Sequence, residues 1–351
     1  MDGPRIREDT AFCRDYLLRV ANGVGVGTAV PLAGSATCAN EAMIQTLVPA
    51  TGKLLVYSNG VFGDRLGDIC AALGQPYNLI RAPSTQPLST AELQQALVSD
   101  AEITHVIVVH CETSTGITNP IEDIADLCGE WGKGLLIDAV SSFGVLGLDM
   151  RRLGFEGLAV GSNKALHGPP GLAWVIADEE KLKACKGRAR SLSLDLWDQW
   201  QCLERSGCFR FTPPTHVLVA FAQALREHEK AGGWEGRFLH CQRNRRCLVA
   251  GMRALGFETL LAEEVAAPIL ATFHPPDDPR FDPLQLCRGM ERAGFRISLG
   301  RIAIPNTIRV GCIGALDSAD MAAVVSTVGG ILDDMGVAVG GACDALKACA
   351  S

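Results

Sequence analysis

Residues 134–176 read GLLIDAVSSFGVLGLDMRRLGFEGLAVGSNKALHGPPGLAWVI, and this stretch decides the fold. It contains three short apolar runs, at 134–138, 157–161 and 172–176, which are separated by polar turns rich in glycine and proline. Apolar runs of this length between turn residues are typical of strands that are buried on both faces of a sheet. The segment therefore predicts neighbouring strands whose ends carry Asp138 and, a few residues later, Lys164.

The same pattern extends toward the N-terminus. Strand-like runs at 54–57 and 106–109 alternate with helix-period segments at 65–73, 91–98 and 121–131. Alternating strands and helices with continuous apolar strands predict an α/β fold, in which helices flank a mostly parallel central sheet.

The pattern changes near Gly232. A long arginine-rich helical segment follows and runs to about residue 255, and strands are predicted at 269–273 and 307–310. A shorter α+β pattern of this kind predicts a smaller C-terminal domain. We expect three parts: a large domain at 1–232, a small domain at 233–335 and a tail at 336–351.

Composition narrows the classes of function. The 351 residues are 48% hydrophobic and 20% charged, with a formal net charge of −7 and no basic cluster, so we expect neither nucleic acid nor a membrane surface as a partner. No apolar stretch is long enough to span a bilayer, and the start lacks the apolar core of a secretory signal. The 14 cysteines include no Cys-x-x-Cys pair, so we expect no metal site and a cytoplasmic location.

Lys164 and Asp138 are the candidate catalytic residues. Lys164 follows a strand and enters a turn rich in glycine and proline, a position that suits a lysine used for Schiff-base chemistry. Taken alone, it is better explained as a surface lysine beside a turn. Asp138 ends the preceding apolar strand, where an unpaired carboxylate would be costly, and a carboxylate there could hold a proton on the ring nitrogen of a pyridoxal cofactor. The alternative is an aspartate that caps the following turn.

A candidate anion site lies near the N-terminus, at the start of a predicted helix from residue 38 to 47. The preceding residues are small and polar, and backbone N–H groups at a helix start can hold a phosphate. An ordinary N-cap would look the same. The residues are Gly34, Ser35, Ala36 and Thr37.

Six motifs follow one another in a fixed order along the chain. They are HCETSTG at 110–116, DAVSSFG at 138–144, SNKALHGPPG at 162–171, RSLSLDL at 190–196, FTPPTH at 211–216 and IRVGCIG at 308–314. In this order they resemble the class V aminotransferases of fold type I, and the resemblance covers residues 12–330.

The resemblance implies the cofactor pyridoxal 5'-phosphate and a role for each matching residue. Lys164 would bind the cofactor as a Schiff base, and Asp138 would pair with its ring nitrogen. Phe62 would stack on the ring, Thr113 would contact its oxygen side, and Thr212 would reach the phosphate of a neighbouring subunit in a homodimer. Arg309 would bind the acid group of the substrate. The phosphate would lie against the four residues named above, although family members commonly have glycine where this chain has Ala36, a difference that matters if that position needs a positive φ.

Within that family, the motifs are most similar to members that act on 2-aminoethylphosphonate and pyruvate. We therefore expect phosphonoacetaldehyde and L-alanine as products. The alternatives are a class V enzyme of the alanine–glyoxylate or serine–pyruvate type, a phosphonate lyase with the same cofactor, and an inactive dimeric homologue. The inactive homologue is an alternative because family members usually carry an N-terminal active-site segment with a Pro-Gly-Pro turn. That segment would lie before the point where this sequence starts.

Overall fold

The computed structural model of the chain describes residues 3–300 and 304–337, which form two compact units. Among the described residues, the first unit comprises 3–83, 87–111 and 119–237. The second comprises 84–86, 112–118, 238–300 and 304–337. The predicted tail lies outside the described residues except for Gly336 and Val337.

The helices and strands take the following bounds. The helices α1–α12 are, in chain order, Pro4–Val20, Ala36–Leu47, Val61–Leu73, Thr90–Ser99, Ile121–Glu130, Met150–Leu153, Glu179–Lys183, Leu196–Ser206, Thr215–Lys230, Gly233–Ala254, Pro283–Arg292 and Ser318–Met335. The strands β1–β13 are Gly27–Ala33, Lys53–Ser58, Tyr77–Arg81, Ile103–Val109, Cys111–Glu112, Ile117–Thr118, Gly134–Asp138, Gly157–Gly161, Leu172–Asp178, Glu258–Thr259, Leu270–His274, Ser298–Gly300 and Thr307–Gly311.

The central sheet of the first unit has the strand order β1-β9-β8-β7-β4-β2-β3. The pairs from β8 to β3 are parallel, whereas β9 runs antiparallel to both β8 and β1. The expected α/β fold with a mostly parallel sheet is therefore confirmed. β1 contains Pro31 and lies at the edge of the sheet, where a residue without an N–H donor is tolerated.

Helices cover both faces of this sheet, as the apolar strands predicted. Along β2, Leu55 and Tyr57 belong to one buried cluster, whereas Leu54 and Val56 belong to another. Because successive side chains of a strand point to opposite faces, this alternation means that both faces of the strand are buried.

The strand order brings several loops to one edge of the sheet. The chain goes from β2 to β3 on one side and then crosses to β4 on the other, so the direction of winding reverses between β2 and β4. Ligands of open parallel sheets bind outside the carboxyl ends of the strands at such a reversal. The segments that follow β1, β2, β4, β7 and β8 all begin at this edge.

The second unit is built on an antiparallel sheet with the strand order β10-β11-β13-β12. Its buried cluster combines strand residues such as Phe273 and Ile308 with helix residues such as Leu248, Leu286 and Val325. This is the α+β arrangement expected for the C-terminal part of the chain.

A buried chain of hydrogen bonds ties α1 and α9 to the loop after β7. The Nε2 atom of His228 lies 2.7 Å from the carbonyl oxygen of Gly144, so Nε2 carries the proton and donates. The Nδ1 atom then accepts from the hydroxyl of Tyr16, also at 2.7 Å. Burial lowers the pKa of His228, which is consistent with a neutral ring. Gly144 has φ of 84°, and a Cβ there would lie 2.5 Å from Leu166.

We predict that Tyr16→Phe lowers the free energy of unfolding by about 1–3 kcal/mol, because His228 would lose its buried donor. Urea unfolding measures this change. The matched control is Tyr77→Phe, since Tyr77 is partly exposed and its hydroxyl makes no hydrogen bond within the described part of the chain. Equal losses in the two variants would contradict the prediction.

Candidate active site

A cavity of about 530 Å³ opens at the carboxyl edge of the central sheet, in the first unit. A volume of this size suits a small-molecule ligand or cofactor. Seven residues that the sequence singled out line it: Gly34, Ser35, Ala36, Thr37, Phe62, Asp138 and Lys164. Positions far apart in the sequence thus meet in one cavity.

Asp138 is a buried side chain of this cavity that several hydrogen bonds hold in place. It is the last residue of β7 and is 7% exposed. Its Oδ1 accepts a hydrogen bond from the backbone N–H of Val140 at 3.0 Å, and its Oδ2 accepts one from Nδ2 of Asn40 at 2.6 Å. The backbone N–H of His110 donates to the Asp138 carbonyl oxygen at 2.9 Å. The two hydrogen bonds to Oδ1 and Oδ2 therefore hold the carboxylate in one orientation, and the third holds the backbone.

Lys164 lies in the loop that joins β8 to β9. The loop is closed internally, because the hydroxyl of Ser162 donates to the carbonyl of Pro169 at 2.6 Å and the N–H of Gly168 donates to the carbonyl of Ser162 at 2.8 Å. His167, in the same loop, has a positive φ of 58°. The Lys164 amine makes no hydrogen bond or ion pair with another described residue. The loop therefore fixes the backbone of Lys164 and leaves its amine available to a ligand.

The predicted anion site forms the start of α2. Ser35 is the N-cap residue, but its side chain makes no capping hydrogen bond. In this first turn, the N–H of Cys38 donates to the carbonyl oxygen of Ser35 at 2.9 Å. The N–H groups of Ala36 and Thr37, in contrast, make no hydrogen bond within the described residues and are available to an anion. Ala36 is the first residue of α2 and is not among the described residues with positive φ. The Cβ atom at this position therefore causes no backbone strain.

Phe62 lies in the first turn of α3, after β2, and is partly buried. The guanidinium carbon of Arg65 is 4.9 Å from the centroid of its ring. Arg65 also lines the cavity and makes no hydrogen bond or ion pair with other residues that the structure describes. The sequence did not single out Arg65, although its position three residues after Phe62 places the two on one face of a helix.

Three predicted site residues are not in this cavity. Thr212 is exposed and lines a separate groove of about 560 Å³ with Phe209 and Phe211. Thr113 and Arg309 belong to the second unit, where the guanidinium of Arg309 donates to the carbonyl oxygen of Thr113. Burial lowers the pKa of Arg309, and the nearby carboxylate of Glu112 opposes that shift.

Asn40 is a cavity residue that no sequence motif indicated. It lies in α2 one turn after Ala36, and both residues line the cavity. The spacing of four residues places the two on one helix face, so this signal could have identified it. Asn163 and Gly171 also line the cavity, on either side of the Lys164 loop.

His110 is buried beside the site. It is 6% exposed, and its Nδ1 atom has no hydrogen-bond partner within the described residues. Burial lowers the pKa of His110 to about 4. The neighbouring residues Val109 and Cys111 line the cavity. The His110 ring is therefore a neutral, buried group next to the cavity wall.

The pKa of His110 predicts a pH dependence of stability. An unfolded histidine binds a proton near pH 6.5, whereas the folded one does not until about pH 4. Stability should therefore fall as the pH drops from 6.5 to 4, by up to roughly 3 kcal/mol from this residue. His110→Gln should flatten this pH dependence in urea unfolding, whereas His274→Gln, which replaces an exposed histidine, should not. Identical pH profiles for the wild type and His110→Gln would refute the assignment.

None of the helices in the described residues is both apolar enough and long enough to cross a membrane. Within the same residues, no group of three or more histidine, cysteine, aspartate or glutamate side chains could hold a metal ion.

Comparison with known proteins places this chain in a family. The model of the family described as aminotransferase class-V matches residues 35–274. The 2-aminoethylphosphonate–pyruvate transaminase of Pseudomonas putida is 42% identical to this chain over 328 residues, which cover 93% of this chain and 89% of the relative. The enzyme of the same name from Cupriavidus taiwanensis is 42% identical over 327 residues, which cover 93% of this chain and 87% of the relative.

Solved structures show the same fold. The pyridoxamine–pyruvate aminotransferase of Mesorhizobium loti superposes with a TM-score of 0.88, covering 99% of this chain and 89% of that chain. The alanine–glyoxylate aminotransferase of a Nostoc species superposes with a TM-score of 0.87, covering 94% of this chain and 88% of that chain. The sequence identities are 23% and 24%, so these structures support the fold and not the substrate.

Proposed function

This chain belongs to the class V aminotransferase family, and we propose that it transfers the amino group of 2-aminoethylphosphonate to pyruvate, giving phosphonoacetaldehyde and L-alanine. The observation that carries the proposal is the 42% identity to transaminases of that name over 93% of the chain. A cavity lined by a lysine, a buried aspartate and a helix start supports it, because these are the groups that such chemistry requires.

The residues of the cavity fit pyridoxal 5'-phosphate. The uncapped start of α2, with Ser35 and Thr37, suits its phosphate, and Asp138 suits its ring nitrogen. Phe62 would pack against the ring. When bound, the cofactor serves as an electron sink for the charge that develops as a proton leaves the substrate carbon.

Lys164 and Asp138 would perform the chemistry that falls to the protein. Lys164 would bind the cofactor covalently and, once the substrate amine has taken its place, its Nζ atom would accept the proton of the substrate carbon as a general base. Asp138 would keep a proton on the ring nitrogen, because its ionised carboxylate favours the protonated form. Its hydrogen bonds already hold the Asp138 carboxylate in one orientation, so the carboxylate would not need to reorient during the reaction.

Arg309 and Thr113 complete the proposed set. A guanidinium binds a carboxylate or a phosphonate with two parallel hydrogen bonds, so Arg309 suits the acid group of both substrates. Burial of Arg309 strengthens such a contact, because fewer water molecules compete for the charge. Thr113 is proposed as a cofactor contact on the basis of the family resemblance.

We further propose that the protein acts as a homodimer in which Thr212 contacts the cofactor phosphate of the partner subunit. Two large apolar side chains are exposed next to Thr212: Phe211 is 50% exposed, and Leu192 is 72% exposed. They are neighbours, because the guanidinium of Arg210 donates to the Leu192 carbonyl at 2.9 Å and lies over the Phe211 ring. A second subunit would remove this apolar surface from water.

The purified protein should be yellow with bound cofactor, and 2-aminoethylphosphonate should bleach the colour. Pyruvate should then restore it with the formation of alanine. Lys164→Ala should lower the rate of alanine formation by roughly 10²–10⁴, because the general base is lost. Lys230→Ala, which removes an exposed lysine at the end of α9, should leave the rate unchanged.

Other outcomes of this experiment would reject the proposal. A protein that binds no pyridoxal 5'-phosphate is not an aminotransferase. Bleaching by alanine or serine but not by 2-aminoethylphosphonate would assign a different amino donor. Release of phosphate or ammonia from the phosphonate without alanine formation would indicate a lyase.

Arg309→Lys should raise the KM of both substrates by roughly tenfold or more, since a single ammonium replaces a fork of two hydrogen bonds. Steady-state kinetics with each substrate in turn measure the effect. The matched control is Arg243→Lys, on the exposed side of α10, for which no change is expected. An unchanged KM in Arg309→Lys would exclude Arg309 from substrate binding.

A further inference from the structure

Asn40 is a buried polar residue in the wall of the cavity. It is 5% exposed, and its Nδ2 atom donates to Oδ2 of Asp138 at 2.6 Å. Its Oδ1 atom is buried and has no hydrogen-bond partner among the described residues. A buried acceptor without a partner is costly, so a bound group or an ordered water is expected to donate to it.

The contact links two elements that are far apart in the sequence. Asn40 lies in α2, the helix whose first turn forms the anion site, and Asp138 ends β7 in the middle of the sheet. The N–H of Val140 holds the other carboxylate oxygen. Without Asn40, Oδ2 of Asp138 would lose its amide donor, and of these two donors only the backbone N–H of Val140 would still orient the carboxylate.

We propose that Asn40 is a positioning residue that orients the Asp138 carboxylate toward the ring nitrogen of the cofactor. The proposal rests on the binding of pyridoxal 5'-phosphate proposed above. The Nδ2 atom of Asn40 donates to Oδ2 of Asp138 and fixes it, and the Oδ1 atom of Asn40 is a further hydrogen-bond acceptor next to the carboxylate. A protonated ring nitrogen is a donor, so a paired carboxylate and amide favour that form over a neutral ring.

Asn40 could instead serve only to hold α2 against the sheet. The two roles differ in what they require of the ligand. A positioning role acts through the ring nitrogen, whereas a packing role acts equally on any ligand of the same shape. A ligand in which carbon replaces the ring nitrogen therefore separates them.

The experiment compares the full chain, freed of cofactor, with its Asn40→Val variant. Affinity is measured for pyridoxal 5'-phosphate and for its 1-deaza analogue, which has the same shape and phosphate but no ring nitrogen. Asn40→Val should weaken binding of the natural cofactor by roughly tenfold to a hundredfold, the range for a hydrogen bond to a charged group. The affinity for the analogue should change by less than about twofold.

Several results would overturn the proposal. Equal weakening of both ligands would assign Asn40 to packing. Unchanged affinity for both would mean that Asp138 keeps its orientation without the amide. A wild-type chain that binds neither ligand would reject the proposed cofactor itself, which is a distinct outcome from the first two.

Gln45→Met is the matched control. Gln45 is also a fully buried amide of α2, but it accepts from the N–H groups of Arg190 and Ser191 and does not line the cavity. Its loss should lower the thermal stability of the cofactor-free protein without distinguishing the two ligands. If Asn40→Val does not fold, Asn40→Ala replaces it in the same comparison, because alanine is the strongest helix former.

Discussion

The Asp138 carboxylate is the constraint on which the rest of the site depends. A carboxyl group that is 7% exposed at the end of a buried strand is tolerated only if hydrogen bonds replace its lost water. Val140 and Asn40 provide those bonds from the following loop and from α2. The loop after β7, the start of α2 and the carboxyl end of the sheet are therefore linked through one side chain.

The sheet then determines which other groups can reach Asp138. The winding reverses between β2 and β4, and the edge at that reversal receives Phe62, Asp138 and the Lys164 loop. Two buried histidines lie close to this edge. His228 joins α1, α9 and the loop that contains Gly144, and His110 lies directly after β4. Burial lowers the pKa of both histidines, so that neither adds positive charge beneath the site at neutral pH.

Much of the fold could be predicted because the strands are continuous apolar runs. The runs at 134–138 and 157–161 match β7 and β8 in full. Helix α1 and strand β3 were not predicted. β3 has only partly buried or exposed residues and lies at the edge of the sheet, so its apolar signal is weak.

By itself, the sequence determined the alternation of apolar strands with helices, the candidate pair Lys164 and Asp138, and through its motifs the family. These depend on local periodicity and on residue types at fixed spacing, which a linear sequence contains. Only the tertiary structure decided that Asn40 donates to Asp138 and that Arg65 covers Phe62 at the cavity. It also showed that Ala36 needs no positive φ. Such facts arise from elements that are distant in sequence and from backbone angles, which no local pattern encodes.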